Sequence, residues 1–352
     1  MSEKCQGCGA VLQHDQPGAA GYTPKVGSKL CQRCFRLTHY DDLQFSMREG
    51  IDPDRILAQI HTMDTLVLWV VDLFDLEASL LDGMNRHLFG KDVIVIGTKR
   101  DLLPETVGNE KLARFIYGRL KALDIHVQGL VVTGKNIPGG PEEVLHALHW
   151  AHGKDVVVMG MANAGKSTLL NALIDKPQLT SSRYPGTTLD FNPIVIDGVT
   201  VYDTPGLTPR NSMLLHLAEN DLKTVLPSKA VKPVGFQLRG DQSFAVGGLC
   251  RIDILNAKPA SAVFYCSNLL ELHRGRVDKA DELWQKHYGE LLQPVPTTAP
   301  VNQWKRTLLT PLGEKEDIVI PGIGWMSLNG NYDQIVVTHP QEIEIKQRKA
   351  MI

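Results

Sequence analysis

The chain has 352 residues, enough for two or three domains. Hydrophobic residues make up 43% of it and charged residues 22%, and the formal net charge of -2 excludes a strong overall attraction to nucleic acid or membranes. No apolar run is long enough to cross a bilayer and no leader-peptide pattern is recognisable, so we expect a cytoplasmic protein that contacts no membrane and no DNA.

Two Cys-x-x-Cys pairs lie near the start of the chain. Cys5 and Cys8 form the first pair, and 22 residues separate it from Cys31 and Cys34. This spacing is typical of a tetrahedral zinc site, and because four thiolates complete the coordination shell, the predicted Zn²⁺ is structural. A redox pair or unrelated thiols are the alternatives. Since residues 1–45 show no long periodic segment and need such a staple, we predict a zinc-finger domain there.

Basic and aromatic residues lie within and after the second cysteine pair, namely Arg33, Arg36, His39 and Tyr40. Such residues beside a zinc knuckle suit an RNA backbone and stacked bases. A solvated rim of the finger explains them equally well.

Short apolar runs alternate with helical patterns between residues 46 and 211. This alternation predicts an α/β domain with a mainly parallel sheet and helices on both faces. The predicted strands are Leu66–Val71, Val93–Gly97, Leu130–Val132, Asp155–Met159 and Val199–Tyr202.

Two motifs, which follow the second and the third of these strands, predict a guanine-binding site. Residues 98–101, here called the guanine reader, are Thr-Lys-Arg-Asp and resemble the Asn-Lys-x-Asp motif of GTPases, with Thr98 in place of Asn. Asp101 would accept two hydrogen bonds, from N1–H and the exocyclic amine of guanine, which adenine does not offer. The stem of Lys99 would cover the ring face. Residues 133–135 read Thr-Gly-Lys and resemble the last guanine motif, usually Ser-Ala-Lys, although alone they read as a loop.

The next motif is a phosphate loop. Residues 160–167 read Gly-Met-Ala-Asn-Ala-Gly-Lys-Ser, follow a predicted strand and open a predicted helix at 168–174. Backbone N–H groups of such a loop cradle phosphates at a helix N-terminus. Lys166 would reach the β- and γ-phosphates, and the Ser167 hydroxyl would ligate Mg²⁺. A chance glycine-rich turn is the alternative.

Residues 185–188 read Pro-Gly-Thr-Thr and resemble the first switch of translation-factor-like GTPases. Thr188 is the expected Mg²⁺ ligand in that pattern, and Thr187 is the second choice. A plain threonine-rich turn is the alternative.

Residues 203–206 read Asp-Thr-Pro-Gly and follow a predicted strand. Asp203 comes 37 residues after Lys166. Asp203 can hold the Mg²⁺ shell there, and the Gly206 N–H can meet the γ-phosphate, although D-x-x-G alone is usually a turn. Leu207 then stands where Ras-like enzymes place the Gln that orients water. An apolar side chain cannot orient water, so we expect slow intrinsic hydrolysis.

Asn163 of the phosphate loop is a candidate K⁺ ligand. GTPases that resemble this loop use that Asn to hold K⁺ near the β- and γ-phosphates. The alternative is an Asn tolerated for its ease in the left-handed backbone region.

From residue 212 the pattern changes and predicts a separate α+β domain over residues 212–352. A helical stretch at 212–226 precedes the strand-like runs, and an amphipathic helix is predicted at 277–292. Cys250 and Cys266 stand alone in apolar stretches and read as buried core residues. The predicted strands are 235–238, 243–254, 261–266, 306–309, 317–320, 324–328 and 334–338.

The order of the motifs is itself informative. The guanine reader precedes the phosphate loop, whereas an ordinary GTPase has the reverse order, yet the cyclic order of all the motifs is preserved. Residues 46–211 are therefore predicted to be a circularly permuted GTPase domain. Because the chain after Gly206 runs directly into the C-terminal domain, order–disorder changes in residues 183–190 and 206–215 are expected to pass the nucleotide state to it.

Over its whole length the chain resembles the YqeH family of circularly permuted GTPases. The nucleotide motifs, the opening Cys-Gln-Gly-Cys-Gly, residues 279–284 (Lys-Ala-Asp-Glu-Leu-Trp) and residues 322–325 (Gly-Ile-Gly-Trp) carry the resemblance. It implies a role in assembly of the small ribosomal subunit in bacteria, with that subunit or its rRNA as partner and a C-terminal RNA-binding β fold.

A competing interpretation is a zinc-finger RNA-binding module in which guanine nucleotide is a slowly hydrolysed structural ligand, which Leu207 favours. A redox enzyme is disfavoured because the sequence lacks a haem, flavin or dinucleotide signature. Asp101 opposes specificity for ATP.

The predicted catalytic residues are Lys166, Thr188 and Gly206. The predicted nucleotide-binding residues are Thr98, Lys99, Asp101, Thr133, Gly134, Lys135, Gly160, Asn163, Ala164, Gly165, Lys166, Ser167, Thr168, Asp203 and Gly206. The predicted metal ligands are Cys5, Cys8, Cys31 and Cys34 for zinc, Ser167, Thr188 and Asp203 for magnesium, and Asn163 for potassium. The expected cofactors are GTP or GDP, Mg²⁺, Zn²⁺ and K⁺.

Overall fold

The computed structural model describes Cys5, residues 10–16, 21–29, Cys31, and residues 53–135, 137–173, 191–208 and 211–352. The predicted zinc ligands Cys8 and Cys34 and the predicted switch residues 185–188 lie outside the described residues. The basic and aromatic residues within and after the second cysteine pair lie outside them too. Across the described ranges, no helix combines the length and apolarity that a bilayer crossing requires.

Within the described residues, six strands form the first sheet. They lie side by side in the order β3-β2-β1-β4-β6-β5, and all neighbours are parallel except β5 and β6. In chain order they are β1 (Thr65–Asp72), β2 (Val93–Thr98), β3 (Gly129–Val132), β4 (Asp155–Gly160), β5 (Asn192–Ile196) and β6 (Val199–Asp203).

Helices separate the first four strands of this sheet along the chain, whereas a two-residue turn joins β5 to β6. Every residue of β1 and β2 is buried because both faces are covered. The five predicted strands are all present. β5 was not predicted, since Pro193 disfavours a strand, but β5 is an edge strand, where proline is tolerated. The helices are α1 (Pro53–Thr62), α2 (Leu76–Ser79), α3 (Met84–Leu88), α4 (Asn109–Ala122), α5 (Gly140–His149) and α6 (Lys166–Leu173).

The C-terminal part is rich in β-structure, and all its strand pairs are antiparallel. One path of its sheet runs β10-β13-β8-β12-β11-β14, and β7 pairs with β8 and β9. Its elements are α7 (Glu219–Val225), β7 (Val234–Val246), β8 (Cys250–Cys266), β9 (Leu272–Gly275), α8 (Val277–His287), β10 (Lys305–Leu309), β11 (Glu316–Ile320), β12 (Gly324–Asn331), β13 (Gln334–His339) and β14 (Lys346–Lys349).

Three predicted elements of this part differ from the structure. The predicted strand 243–254 contains a turn at Gly247 (φ +51°), so it is split between β7 and β8. The helix predicted at 212–226 breaks into a 3₁₀ turn, Met213–His216, and α7, because Leu217 is extended and the His216 carbonyl accepts a hydrogen bond from the Thr297 N–H. The helix predicted at 277–292 ends at His287, just before a left-handed glycine.

The two parts of the molecule share one hydrophobic cluster. Trp325 of β12 is buried in the cluster that contains the first sheet, and its ring lies 5.7 Å from that of Phe74, which follows β1. On its own side, the ring stacks on Tyr265 of β8 at 4.9 Å. Val319 and Met351 belong to the same cluster. The C-terminal part is therefore packed directly on the domain that carries the nucleotide motifs.

Candidate nucleotide-binding site

The predicted phosphate loop connects β4 to α6. Asn163 (φ +65°) and Gly165 (φ +87°) both adopt the left-handed conformation that curves the loop. A Cβ added to Gly160 would lie 2.5 Å from the Val70 carbonyl oxygen, so the start of the loop requires glycine to pack against β1. The loop thus leads into a helix N-terminus, the arrangement that cradles a phosphate.

Lys166 and Asp203 meet at this loop. The Lys166 side chain is 8% exposed, and its ammonium donates to the Asp203 carboxylate and to the Thr204 carbonyl. Asp203 is brought there because β6 pairs with β4. The carboxylate compensates the buried ammonium, which would otherwise be costly to desolvate. Ser167, the next residue of α6, is exposed beside this pair.

The segment after β6 lies on the phosphate loop. The Leu207 N–H donates to the Gly160 carbonyl at 3.0 Å, and the Ala162 N–H donates to the Leu207 carbonyl at 2.7 Å. A Cβ on Gly206 would come within 3.0 Å of the Ala162 Cα. The Leu207 side chain is fully buried in the hydrophobic cluster, so it offers no group that could orient a water molecule.

Thr98 connects the guanine reader to the phosphate loop. Its hydroxyl lies 3.0 Å from the Val71 carbonyl and contacts the Ala164 carbonyl even more closely. A hydroxyl has a single proton, so it donates to one of the two carbonyls at a time. The short Thr side chain therefore links the guanine reader to the phosphate loop.

The two guanine motifs lie against each other. The Lys135 N–H donates to Asp101 Oδ1 at 3.1 Å, and a Cβ on Gly134 would overlap the same oxygen. Thr133 is buried, its N–H donates to the Gly97 carbonyl at 2.7 Å, and its carbonyl accepts from the Arg100 N–H at 3.1 Å. These contacts hold Asp101 at the carboxyl edge of the sheet, on the same side as the phosphate loop.

Asp72 was not predicted as a site residue, but it binds the lysine of the guanine reader. Lys99 has a left-handed backbone (φ +58°), and its ammonium lies 2.7 Å from Asp72 Oδ2 at the end of β1. Its position in the sequence could have identified it, because an acidic residue at the carboxyl end of a buried parallel strand lies at the sheet edge where nucleotide sites form.

One cysteine of each predicted zinc-binding pair lies among the described residues. Cys5 and Cys31 are both 1% exposed, and the Cys31 N–H donates to the Cys5 sulfur at 3.1 Å. Where residues are described, no three His, Cys, Asp or Glu side chains gather in a metal-binding group, and two of the predicted ligands lie outside that part. The structure thus brings together one cysteine from each pair.

Comparisons with known proteins match two segments of this chain to known families. Residues 155–232 match the model of a family described as 50S ribosome-binding GTPase, and residues 259–351 match the family YqeH-like, C-terminal. The chain is 33% identical to the uncharacterized protein YqeH of Bacillus subtilis over 99% of both chains.

More distant relatives carry more specific names. The chain is 26% identical to NO-associated protein 1, chloroplastic/mitochondrial, of Arabidopsis thaliana, over 92% of this chain and 69% of that protein. It is 41% identical to the tRNA modification GTPase MnmE of Syntrophus aciditrophicus over 18% of this chain and 15% of that protein. The end-to-end match and the GTPase domain show that this chain is a GTP hydrolase and belongs to the YqeH family.

Proposed function

We propose that this chain is a circularly permuted, Mg²⁺-dependent GTPase switch that acts in assembly of the small ribosomal subunit. The observation that supports it best is the direct contact among three motifs at one sheet edge. Thr98 of the guanine reader contacts the phosphate loop, and Leu207 pairs with the same loop. The guanine reader follows β2 and the phosphate loop follows β4, as a permuted order requires.

The phosphate site has the groups that bind a nucleoside triphosphate. Lys166 is now paired with Asp203, and a γ-phosphate would compete for this ammonium. Release of Asp203 would leave a carboxylate next to Ser167, and such oxygen ligands suit Mg²⁺. Asp203, Ser167 and Thr188 would hold the ion, which neutralises charge on the phosphates when bound.

Hydrolysis by the isolated chain should be slow. The buried Leu207 cannot orient water, so positioning or positive charge must come from elsewhere. We infer two sources, a K⁺ ion held by Asn163 and the bound particle. Asn163 has a left-handed backbone, which also fits the alternative that Asn is present for its conformation and not for K⁺. Comparing hydrolysis rates in Na⁺ and in K⁺ distinguishes these two explanations.

The zinc finger is proposed as a recognition element. Proximity of Cys5 to Cys31 supports a site that is completed by Cys8 and Cys34, because thiolates are the preferred ligands of structural Zn²⁺. The partner of the finger and of the C-terminal part is proposed to be the small subunit or its rRNA, in the cytoplasm. The family description for residues 155–232 names the 50S ribosome, so both subunits belong in the test.

The test is GTP turnover by the purified protein with Mg²⁺, in K⁺ or Na⁺, alone and with small or large ribosomal subunits. Lys166→Ala serves as the blank, since it removes the phosphate-binding ammonium. We expect turnover to rise with small subunits, to be faster in K⁺, and to vanish in the blank.

Stimulation by large subunits alone would overturn the proposed partner. Equal rates in Na⁺ and K⁺ would remove the K⁺ role of Asn163. Nucleotide binding without stimulation by either particle would favour the competing interpretation, an RNA-binding module with a structural nucleotide.

A further inference from the structure

The turn between β11 and β12, residues 321–323, contacts the nucleotide domain at Asp75 and the segment that leads out of that domain at Met213. The Pro321 carbonyl accepts from the Met213 N–H at 2.9 Å, behind the segment that follows Gly206. The Gly322 N–H donates to Asp75 Oδ2 at 2.9 Å, next to the guanine reader. Gly322 has φ +86°, and a Cβ there would lie 2.5 Å from Ser212 Oγ. This turn is therefore tightly fitted against Asp75 of the nucleotide domain and against residues 212 and 213, which follow that domain in the chain.

Asp75 is connected to the guanine reader through Asp72. One oxygen of Asp72 binds the Lys99 ammonium at 2.7 Å. The other accepts the backbone N–H groups of Phe74 at 2.9 Å and of Asp75 at 3.3 Å. A single carboxylate thus fixes both Lys99 and the stretch of backbone that carries Asp75.

Charge strengthens this connection. Asp75 Oδ1 is buried and has no hydrogen-bond partner within the described part of the chain. Burial, followed by the negative charge of Asp72, raises the pKa of Asp75 to about 7, while Lys99, the Gly322 N–H and Arg348 act in the opposite direction. In such a poorly solvated place, the position of the Lys99 ammonium affects the energy of the Asp75 carboxylate directly.

We propose that Asp72 and Asp75 are positioning residues that couple occupation of the guanine subsite to docking of the turn at residues 321–323. A guanine ring lying on the Lys99 stem restrains Lys99, which restrains Asp72 and thereby the bond from Asp75 to Gly322. The coupling responds to GDP as strongly as to GTP, unlike a route through the γ-phosphate and residues 206–215. It rests on guanine binding at Lys99 and Asp101 as proposed above. By reciprocity, disturbing the turn weakens binding of both nucleotides.

Hydrogen exchange measured by mass spectrometry tests the first direction. GDP is expected to slow exchange in residues 166–173, which reports binding, and in residues 318–326. In Asp75→Ala, GDP is expected to protect only residues 166–173. Inorganic pyrophosphate, which has no base, is likewise expected to protect only the phosphate loop and α6. Protection of 318–326 by pyrophosphate, or its survival in Asp75→Ala, would overturn the coupling.

Nucleotide affinity tests the reverse direction. Gly322→Ala is expected to weaken binding of GDP and of a non-hydrolysable GTP analogue by the same factor, roughly fivefold or more. Gly235→Ala is the matched control, because a Cβ there meets nothing within 4 Å. Unchanged affinities in Gly322→Ala, or a loss confined to the GTP analogue, contradict the inference. If GDP protects neither 166–173 nor 318–326 in the unaltered protein, the proposed nucleotide site itself fails.

Discussion

Thr98 shows how one hydroxyl holds two motifs in register. Its oxygen lies between the carbonyls of Val71 and Ala164, so the end of β1, the end of β2 and the phosphate loop meet at one side chain. The residue is 5% exposed, so water cannot replace these bonds easily. Thr98 and the phosphate loop also pack closely, because a Cβ added to Gly165 would lie 3.3 Å from Thr98 Oγ1.

Thr98→Val tests this role with almost no change in volume. The variant removes the single hydroxyl proton that the Val71 and Ala164 carbonyls share. We expect it to lose about 1–3 kcal/mol of folding free energy. It should also bind GDP more weakly, since the phosphate loop loses a support. Thr98→Ser keeps the hydroxyl and is the control. Urea unfolding and GDP titration are the measurements, and equal behaviour of Val and Ser at this position would contradict the assignment.

Sequence patterns named the residues that recur in fixed motifs, but they did not reveal Asp72 and Asp75. A single Asp after a strand has no defining neighbours, and its partners become visible only in three dimensions. The bond from Gly322 to Asp75 joins residues 247 positions apart. The glycines at 322 and 324 were recognisable by resemblance alone, whereas the structure gives their reason, since a side chain at either would overlap neighbouring atoms.

At the scale of elements, the loop after β3 is the support of Asp101. Gly134→Ala would place a Cβ on the Asp101 carboxylate and push it away from the guanine position. Losing hydrogen bonds to a charged group costs about 1.5–3 kcal/mol, so GDP affinity should fall roughly tenfold to a hundredfold. Binding of inorganic pyrophosphate should be unchanged, because it does not use Asp101.

Gly129→Ala, in the strand just before this loop, is the matched control, since its Cβ would be 3.7 Å from Ile94, an ordinary contact. We expect its GDP affinity to match that of the unaltered protein. If both alanine variants bind GDP equally well, the loop does not support Asp101. Fluorescence titration with a labelled GDP makes the comparison.

Five strands of the first sheet were predictable because each is a short apolar run bounded by polar residues, whereas β5 with its Pro193 was not. In the C-terminal part the same pattern was ambiguous. The long strand β7 changes from mainly exposed to mainly buried along its length, and β8 has exposed positions in its middle, so their continuity was obscured. The pair Gly247-Gly248 that separates them was read as part of a strand. β14 was missed because its sequence, Lys-Gln-Arg-Lys, looks like a solvated tail, although Arg348 is buried by contacts with distant residues. The domain boundaries at 45/46 and 211/212 stay predictions.

At the scale of the whole molecule, a buried charge cluster joins the two parts. The Arg348 guanidinium binds Glu77 at 2.9 Å and Asp317 at 3.3 Å, and Arg119 binds Glu77 at 2.8 Å. Burial alone would raise the pKa of Glu77, but the two arginines hold it below its ordinary value. Burial raises the pKa of Asp317, which the same Arg348 opposes. Arg348 is therefore the shared counter-charge of two carboxylates from different parts of the chain.

Arg348→Met should destabilise the protein by about 3–5 kcal/mol, because it leaves buried carboxylates with one cation fewer. Lys349→Met is the control one residue away. Lys349 is 76% exposed and pairs with Glu314 on the surface, so its loss should change stability by less than about 1 kcal/mol. Urea unfolding followed by tryptophan fluorescence compares the two. Equal midpoints would show that the cluster does not stabilise the docked arrangement.

The partnership of Glu77 and Arg348 also has a consequence during protein synthesis. Glu77 leaves the ribosome 271 residues before Arg348 does. At ordinary elongation rates of about 5–20 residues per second, this interval is on the order of tens of seconds. After β6 has emerged and until the C-terminal strands follow, the nascent first sheet would expose the apolar surface that later receives Trp325, and Arg119 would pair with Glu77 without the help of Arg348. The nucleotide domain therefore begins its existence with an open face that chaperones can reach, and it closes that face only after translation of β14.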